Sequence, residues 1–291
     1  MNQKLSFLIL SLICIWSHSL LGQVDGNQAF KIFDVELGQE ISLEKLRDAS
    51  SEFDVLFWGE EHDDSLGHIL QDSLYHLLLN RYNTVALSME MFETDGQYIL
   101  DEYLDGLITE EKFLSDARPW ATYERAYRPL LERAKEGKQA VIAANAPRRY
   151  VSMVSRNGLG ELEKLSKTAK AYLPPLPIYT EDKDYKDRFD EIMSQSPHSY
   201  DPKIFHAQCT WDASMSFRIY KHWKKNKGEL IFHLNGRFHT DYKLGTFHQL
   251  QRLNKKLRIA NISCFPVENF EKINWSEHAD KADFIIVSKK D

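Results

Sequence analysis

Cysteine is scarce: the 291-residue chain has three, and one of them, Cys14, lies in the N-terminal stretch. Only Cys209 and Cys264 remain in the body of the chain, which leaves no framework of several disulfides and no metal site of cysteine spacing. These two would form one disulfide or stay as two buried thiols. Internal repeats and low-complexity tracts are absent. No G-x-S-x-G element occurs, which argues against a serine nucleophile on a strand-to-helix elbow. Basic residues are not in excess, with Lys+Arg 37 against Asp+Glu 43 and a net charge of −6. A general nucleic-acid binder therefore lacks its electrostatic footprint. Charged residues make up 27% of the chain, which excludes both a multi-span membrane protein and disorder throughout. What is present, 43% hydrophobic residues and 13 glycines, suits a globular protein with a sizeable core.

The first 22 residues read as a secretory signal peptide: Lys4, an apolar run over 5–16, a short polar break, and Gly22 before the expected cut. The run is too short to span a bilayer comfortably. Cys14 is preceded by Ile13 where a lipidation box needs a small residue. Cleavage would leave Lys+Arg 36 against Asp+Glu 43, a net charge of −7. The expected location is the periplasm, the outer-membrane surface or the medium, and the expected domain is a single unit over 23–291.

Short β-type runs alternate with helical segments, the pattern of a sheet built from βα units. Strands are expected at 53–58, 84–88, 139–143, 229–234, 257–264 and 284–288, after a hairpin over 30–36 and 40–42. Helices are expected at 43–49 and at 65–81, the latter with Leu66, Ile69, Leu70, Leu74, Leu77 and Leu78 on one face. A helical stretch over 96–135 should break near Arg118-Pro119-Trp120. Five of the nine prolines fall between 174 and 202, so 150–204 reads as a proline-rich helical cap. Within the cap, 182–193 would be a helix with Tyr185, Phe189 and Ile192 facing inward. Further helices are expected over 205–225 and 244–253. The fold class is therefore α/β: a central, mainly parallel sheet flanked by helices, with a helical cap over the strand C-terminal edge.

Four polar clusters share one placement. Gly59-Glu60-Glu61-His62 follows the first core strand, Glu90 the second, Asn145, Arg148 and Arg149 the third, and Asn235-Gly236-Arg237-Phe238-His239 the fourth. In a parallel sheet all strand C-termini open on one edge, where such folds bind ligands. Distant stretches of chain would then meet at one mouth bearing two histidines, carboxylates and arginines. Taken singly, each residue has an ordinary structural role: a loop histidine, a turn glycine, a solvated acid. Glu90 closes an apolar run and needs a partner, which Arg148 or a metal would supply. Arg148 and Arg149 stand against a helix N-terminus, where cations point to an anionic group nearby.

The two G-x-x-H elements, with Glu90 and Arg148 between them, resemble the Tiki/TraB/erythromycin-esterase superfamily. The stretches "LFWGEEHDD", "LSMEMF", "YRPLLERAKE", "AANAPRR", "LPPLP" and "HAQCTWDASMSFRIY", with Trp120 and the Ile41-Ser42 hairpin, are most similar to its ChaN-like haem-binding uptake proteins. The likeness runs from about Phe30 to Ser263. The second element departs from it, because Arg237-Phe238 stands in a usually glycine-richer loop and would narrow or fill the pocket. The resemblance implies an exported haem-binding protein linked to iron uptake. Its cofactor site would draw on His62, Glu61, Glu90, Arg148, Arg149, Arg237 and His239. Haem needs an axial donor, an apolar slot and cations for its propionates. Trp120, Tyr123, Tyr127, Trp211 and Met215 would wall the slot, although aromatics at helical spacing more often belong to a core. No C-x-x-C-H is present, so attachment would be non-covalent. A homodimer sharing the flat ligand and a link to envelope uptake machinery are further expectations.

A hydrolase remains the alternative. His62 would be a general base oriented by Glu90, with Arg148 and His239 stabilising negative charge. In another form, His62, Glu90 and His239 would hold a divalent ion such as Mn, Co or Zn. A third alternative is a binding protein for some other small anion.

Overall fold

The computed structural model describes residues 29–195 and 201–290; the expected signal peptide lies outside them. Eight strands run β1 (Phe30–Asp34), β2 (Gln39–Ile41), β3 (Val55–Glu60), β4 (Val85–Glu93), β5 (Val141–Asn145), β6 (Leu230–Gly236), β7 (Ile259–Val267) and β8 (Phe284–Lys289). They form one sheet in the order β2-β1-β8-β7-β3-β6-β4-β5. From β8 to β5 every pairing is parallel. The β1–β2 hairpin adds an antiparallel margin. Strands β3 and β6 are buried along their whole length, because a parallel sheet covered on both faces leaves no face for water. Their sequences accordingly begin as apolar runs, with polar residues only at His233 and at the C-terminal ends, Glu60 and Asn235.

Eleven α-helices are described: α1 (Leu43–Ala49), α2 (Ser65–Arg81), α3 (Gln97–Leu104), α4 (Glu110–Ala117), α5 (Tyr123–Ala126), α6 (Arg128–Glu136), α7 (Arg148–Asn157), α8 (Lys167–Lys170), α9 (Lys183–Ser194), α10 (Lys203–Lys225) and α11 (Gly245–Leu253). The expected α/β class holds, with helices on both faces of a mainly parallel sheet. The break foreseen near residue 118 is real: α4 ends where Arg118 takes a left-handed conformation, with φ at 53°. Helices α7, α9 and α10 share an apolar cluster around Val151, Val154, Leu162, Tyr185, Phe189 and Phe205, separate from the main core.

Three local expectations need correction. Ile69 is 62% exposed, because the buried face of α2 is Gly67, His68, Leu70, Gln71, Leu74, Tyr75 and Leu78. Two polar side chains hold positions on that face, for a reason that appears at the site. Ile192 is half exposed at the end of α9, whereas Tyr185 and Phe189 are buried as expected. Strand β4 does not stop at residue 88 but continues through Glu90 to Glu93. Its register against β5 shifts between Met89 and Glu93, a bulge-like irregularity that re-aims side chains at a sheet margin. Cys209 on α10 and Cys264 in β7 are both buried free thiols. Among the described residues, no helix is long and apolar enough to cross a membrane.

Candidate functional site

The four polar clusters do meet. Glu60, Asn145 and Gly236 are the last residues of β3, β5 and β6, and Glu90 lies inside β4, which runs on to Glu93. A two-lobed cleft opens beside them. The larger lobe, about 590 Å³, is lined by His62, Glu90, Trp120, Asn145, Arg148 and Trp211, among others. The smaller, about 410 Å³, is lined by Glu61, Tyr185, Arg237, Phe238 and Asp241. His62, Gln208 and His239 belong to both lobes. A more open groove of about 960 Å³ lies around the start of β5 and the end of α10, and none of the expected site residues lines it.

The two G-x-x-H elements interlock. A Cβ on Gly59 would stand 2.8 Å from the Arg237 backbone, and one on Gly236 would stand 2.8 Å from His62 Nε2. Each glycine therefore makes room for the other element, a close approach and not merely a turn. Gly236→Ala should push the His62 ring aside while leaving the fold intact. An altered His62 ring resonance in an otherwise unchanged NMR spectrum is the expected result.

The two histidines are held differently. His239 Nδ1 lies 2.7 Å from Asp212 Oδ1, and its Nε2 lies 3.5 Å from Glu90 Oε1. Thr246 Oγ1 also donates to Asp212, at 2.8 Å. The Gly236 backbone N–H donates to Glu90 Oε2 at 2.7 Å, which the detachment of β4 from β6 beyond Met89 makes possible. Burial by itself would lower the pKa of His239, but the carboxylates of Glu90 and Asp212 outweigh it and hold the ring charged. Burial likewise works against ionised Glu90, and His239 with the Gly236 N–H more than compensates. The partner of Glu90 is thus His239 and a backbone amide, not Arg148. The two carboxylates favour the charged form of His239, in which neither ring nitrogen keeps a lone pair.

His62 is different. Its Nδ1 meets Glu60 Oε1 at 2.9 Å, and its side chain is 46% exposed. Glu60, only 3% exposed, also accepts from Tyr127 Oη at 2.6 Å and from Gln71 Nε2. His68 Nε2 lies 3.2 Å from the carbonyl oxygen of His62. Gln71 and His68 are the polar residues on the buried face of α2, and serving Glu60 and His62 explains them. A carboxylate only accepts, so the hydrogen sits on Nδ1 and neutral His62 keeps its lone pair on Nε2. Burial opposes charging of His62, while the Glu60 hydrogen bond and the nearby Glu90 raise its pKa. The Trp120 ring stands edge-on, 5.0 Å away.

The arginines are largely committed. Arg149 pairs with Asp95 and lines neither lobe. Arg237 is held by Glu61 and Asp241, each at 2.5 Å, and lies over the Phe265 ring. Glu61 is therefore spent on Arg237. Phe238 stacks on Tyr185, with ring centroids 5.2 Å apart. Arg237 and Phe238 thus narrow the smaller lobe and leave the larger one clear. Arg148 is 73% exposed, and its guanidinium stands 3.8 Å from Glu93. Of the expected slot walls, Trp120 and Trp211 line the larger lobe, whereas Tyr123, Tyr127 and Met215 are buried in the core.

The metal-centre alternative finds no support. Among the described residues, no group of three or more His, Cys, Asp or Glu could hold an ion. For His62, Glu90 and His239 the reason is that His239 is protonated between two carboxylates and Glu90 is already engaged. Asp212 and Gln208 on α10 are site residues that the strand-end pattern does not reveal, and Glu60, which the sequence leaves open to a solvated role, is buried. The available signal was a lone acid, Asp212, on the apolar face of a long helix.

A family model described as haem-binding uptake, Tiki superfamily, ChaN, matches residues 46–250. The chain belongs to that family. Among solved structures, this ChaN-family chain is similar to ChaN of Campylobacter jejuni, described as binding haem cofacially. That match has 17% identity, covers 91% of this chain and 98% of that one, and has a TM-score of 0.67. It shows a shared fold. Weaker likenesses include an erythromycin esterase (11% identity, 83% and 78% coverage, TM-score 0.48) and the type III effector HopBA1 (12%, 86% and 94%, 0.47). No curated protein compared with the chain matches it.

Proposed function

We propose that this chain binds haem in the larger lobe of the cleft, with His62 Nε2 as iron ligand. The observation that carries this reading is the asymmetry of the two histidines. His239 is buried between two carboxylates, with Nδ1 2.7 Å from Asp212 and Nε2 3.5 Å from Glu90, while His62 is half exposed, oriented through Nδ1 by Glu60, and keeps Nε2 for a ligand. Metal-ligating histidines characteristically donate their other ring N–H to a carboxylate in this way. The residues present fit the group. Trp120, Trp211, Val151, Ile204 and Ala207 supply an apolar slot, and Arg148 is the cation free enough to meet a propionate. The lobe volume falls within the roughly 300–1,000 Å³ usual for small-molecule sites. Bound haem would supply an iron centre that takes one imidazole nitrogen. The chain's own part is to orient that nitrogen, to exclude water with the two tryptophans and to neutralise propionate charge.

Family membership and the Campylobacter jejuni relative support the ligand. In this reading the protein is exported, as the N-terminal 22 residues suggest, and carries haem for iron acquisition, passing it to envelope uptake machinery. Two copies would share the flat ligand as a homodimer, which sedimentation with and without hemin tests. The hydrolytic alternative finds a carboxylate-oriented imidazole in His62, but the carboxylate is Glu60 and not Glu90. The rest of its set is missing: Glu90 is engaged by His239 and the Gly236 N–H, and Arg148 faces Glu93. Hemin titration followed by absorbance is the direct test: a Soret band should saturate near stoichiometric protein. A spectrum unchanged from free hemin would remove the proposal.

A further inference from the structure

The charge around His62 goes beyond what ligating an iron atom requires. Three buried carboxylates, Glu60, Glu90 and Asp212, stand near the two histidines, and they face two further buried imidazole contacts. His239 lies between Glu90 and Asp212, and His68 Nδ1 lies 3.7 Å from Glu60 Oε2, so the acids outnumber the basic groups set against them. The charge of Arg237 is absorbed by Glu61 and Asp241, and Arg148 stands out at the rim opposite Glu93. The inner field is therefore negative. Glu60 adds to it directly, since its hydrogen-bond partners, apart from His62, are the neutral donors Tyr127 and Gln71.

We infer that the cleft is built to hold porphyrin iron in its ferric state in preference to the ferrous one, with Glu60 as the positioning residue that sets this preference through His62. This rests on the haem-binding reading above. Two physical effects act together. A ferric porphyrin core carries one positive charge more than a ferrous one, so buried carboxylates attract it more strongly, and the low-polarity surroundings screen that attraction weakly. A carboxylate accepting the Nδ1 hydrogen also gives the imidazole partial imidazolate character, which makes Nε2 a stronger donor to the more acidic metal. Glu60 would touch neither iron nor porphyrin. It acts by fixing the ring orientation and its electron density, and Tyr127 and Gln71 hold it in place.

Gallium(III) and zinc(II) protoporphyrin share one ring and are redox-inert, and their cores differ by one charge, so they test the preference without any reaction. Fluorescence and absorbance titrations of the intact protein should show tighter binding of the gallium compound. Glu60→Gln should lower gallium(III) affinity roughly 10–100-fold, the usual cost of losing an outer-shell partner, and zinc(II) affinity by less. Tyr127→Phe, which keeps the carboxylate, should retain most of the preference. As a parallel check, reducing bound hemin with dithionite should weaken its binding. Equal affinity for the two porphyrins in the unaltered protein overturns the inference even if Glu60→Gln does not fold, and so does an unchanged ratio in a folded Glu60→Gln. If neither porphyrin nor hemin binds at all, the proposed function itself falls first. Nitrogen-15 NMR of His62 in ligand-free protein gives an independent reading: the hydrogen should sit on Nδ1, and that preference should be lost in Glu60→Gln.

Discussion

His62→Ala should lower hemin affinity by at least about a hundredfold, on the order of 3 kcal/mol, while leaving the apo-protein's stability nearly unchanged. The two halves of this expectation have separate causes. The affinity change would follow from losing the half-exposed imidazole whose Nε2 opens on the cleft. Stability is spared because the side chain is half exposed and because Glu60 keeps hydrogen bonds from Tyr127 and Gln71. The Soret maximum should move as well, since the axial donor changes. His239→Ala should show the reverse pattern, with hemin still bound by a less stable protein. The pH dependence follows from the raised pKa of His62. Iron competes with a proton for Nε2, so affinity should fall as pH drops through that value and hold above it. An unaltered titration curve in folded His62→Ala would send the search for the ligand elsewhere in the cleft.

Asp212→Ala should destabilise the fold by about 3–5 kcal/mol, the usual cost of removing one partner from a buried charge pair. Asp212 is fully buried on α10 and holds both His239 Nδ1 and Thr246 Oγ1, so its loss unties α10 from the second G-x-x-H element and from α11. Urea denaturation reads the change directly. The pH profile identifies the cause. His239 has an ordinary value of 6.5, which burial would lower but which Glu90 and Asp212 bring to about 10. A group raised on folding contributes stability that is fully present below pH 6.5 and is lost as pH climbs through about 10. Glu90 runs the other way. Burial would raise it, yet His239 and the Gly236 amide depress it from 4.5 to about 2, so its contribution is present above pH 4.5 and fades as pH falls through about 2. Stability from this pair should therefore be greatest between pH 4.5 and 6.5 and decline on the alkaline side. In Asp212→Ala that alkaline decline should be smaller and finish at a lower pH, because one of the two carboxylates holding the proton is gone. A profile identical in shape to that of the unaltered protein would mean His239 is not charged through Asp212.

Most of the scaffold was legible because its signals are local. Continuous apolar runs marked the central strands, helical spacing marked α2 and α10, and the placement of polar clusters at strand ends marked the site. The differences come from buried polar residues. Glu90 reads as the end of β4, but its charge is tolerated within the strand because His239 and a backbone amide meet it there. On α2 the apolar spacing points Ile69 inward, whereas His68 and Gln71 hold the buried face, because periodicity counts apolar residues and cannot see that two polar ones are needed beneath His62.

That a parallel sheet gathers His62, Glu90, Arg148 and His239 at one edge is readable from residue order, because strand polarity and loop position follow from it. What each of them does there depends on three-dimensional packing. Protonation and availability depend on which carboxylates lie within a few ångströms, and those carboxylates, Glu60 for His62 and Asp212 for His239, act through space. Two identical side chains thus become a fixed cation and an open nitrogen donor, a difference set by packing and not by the G-x-x-H motif they share.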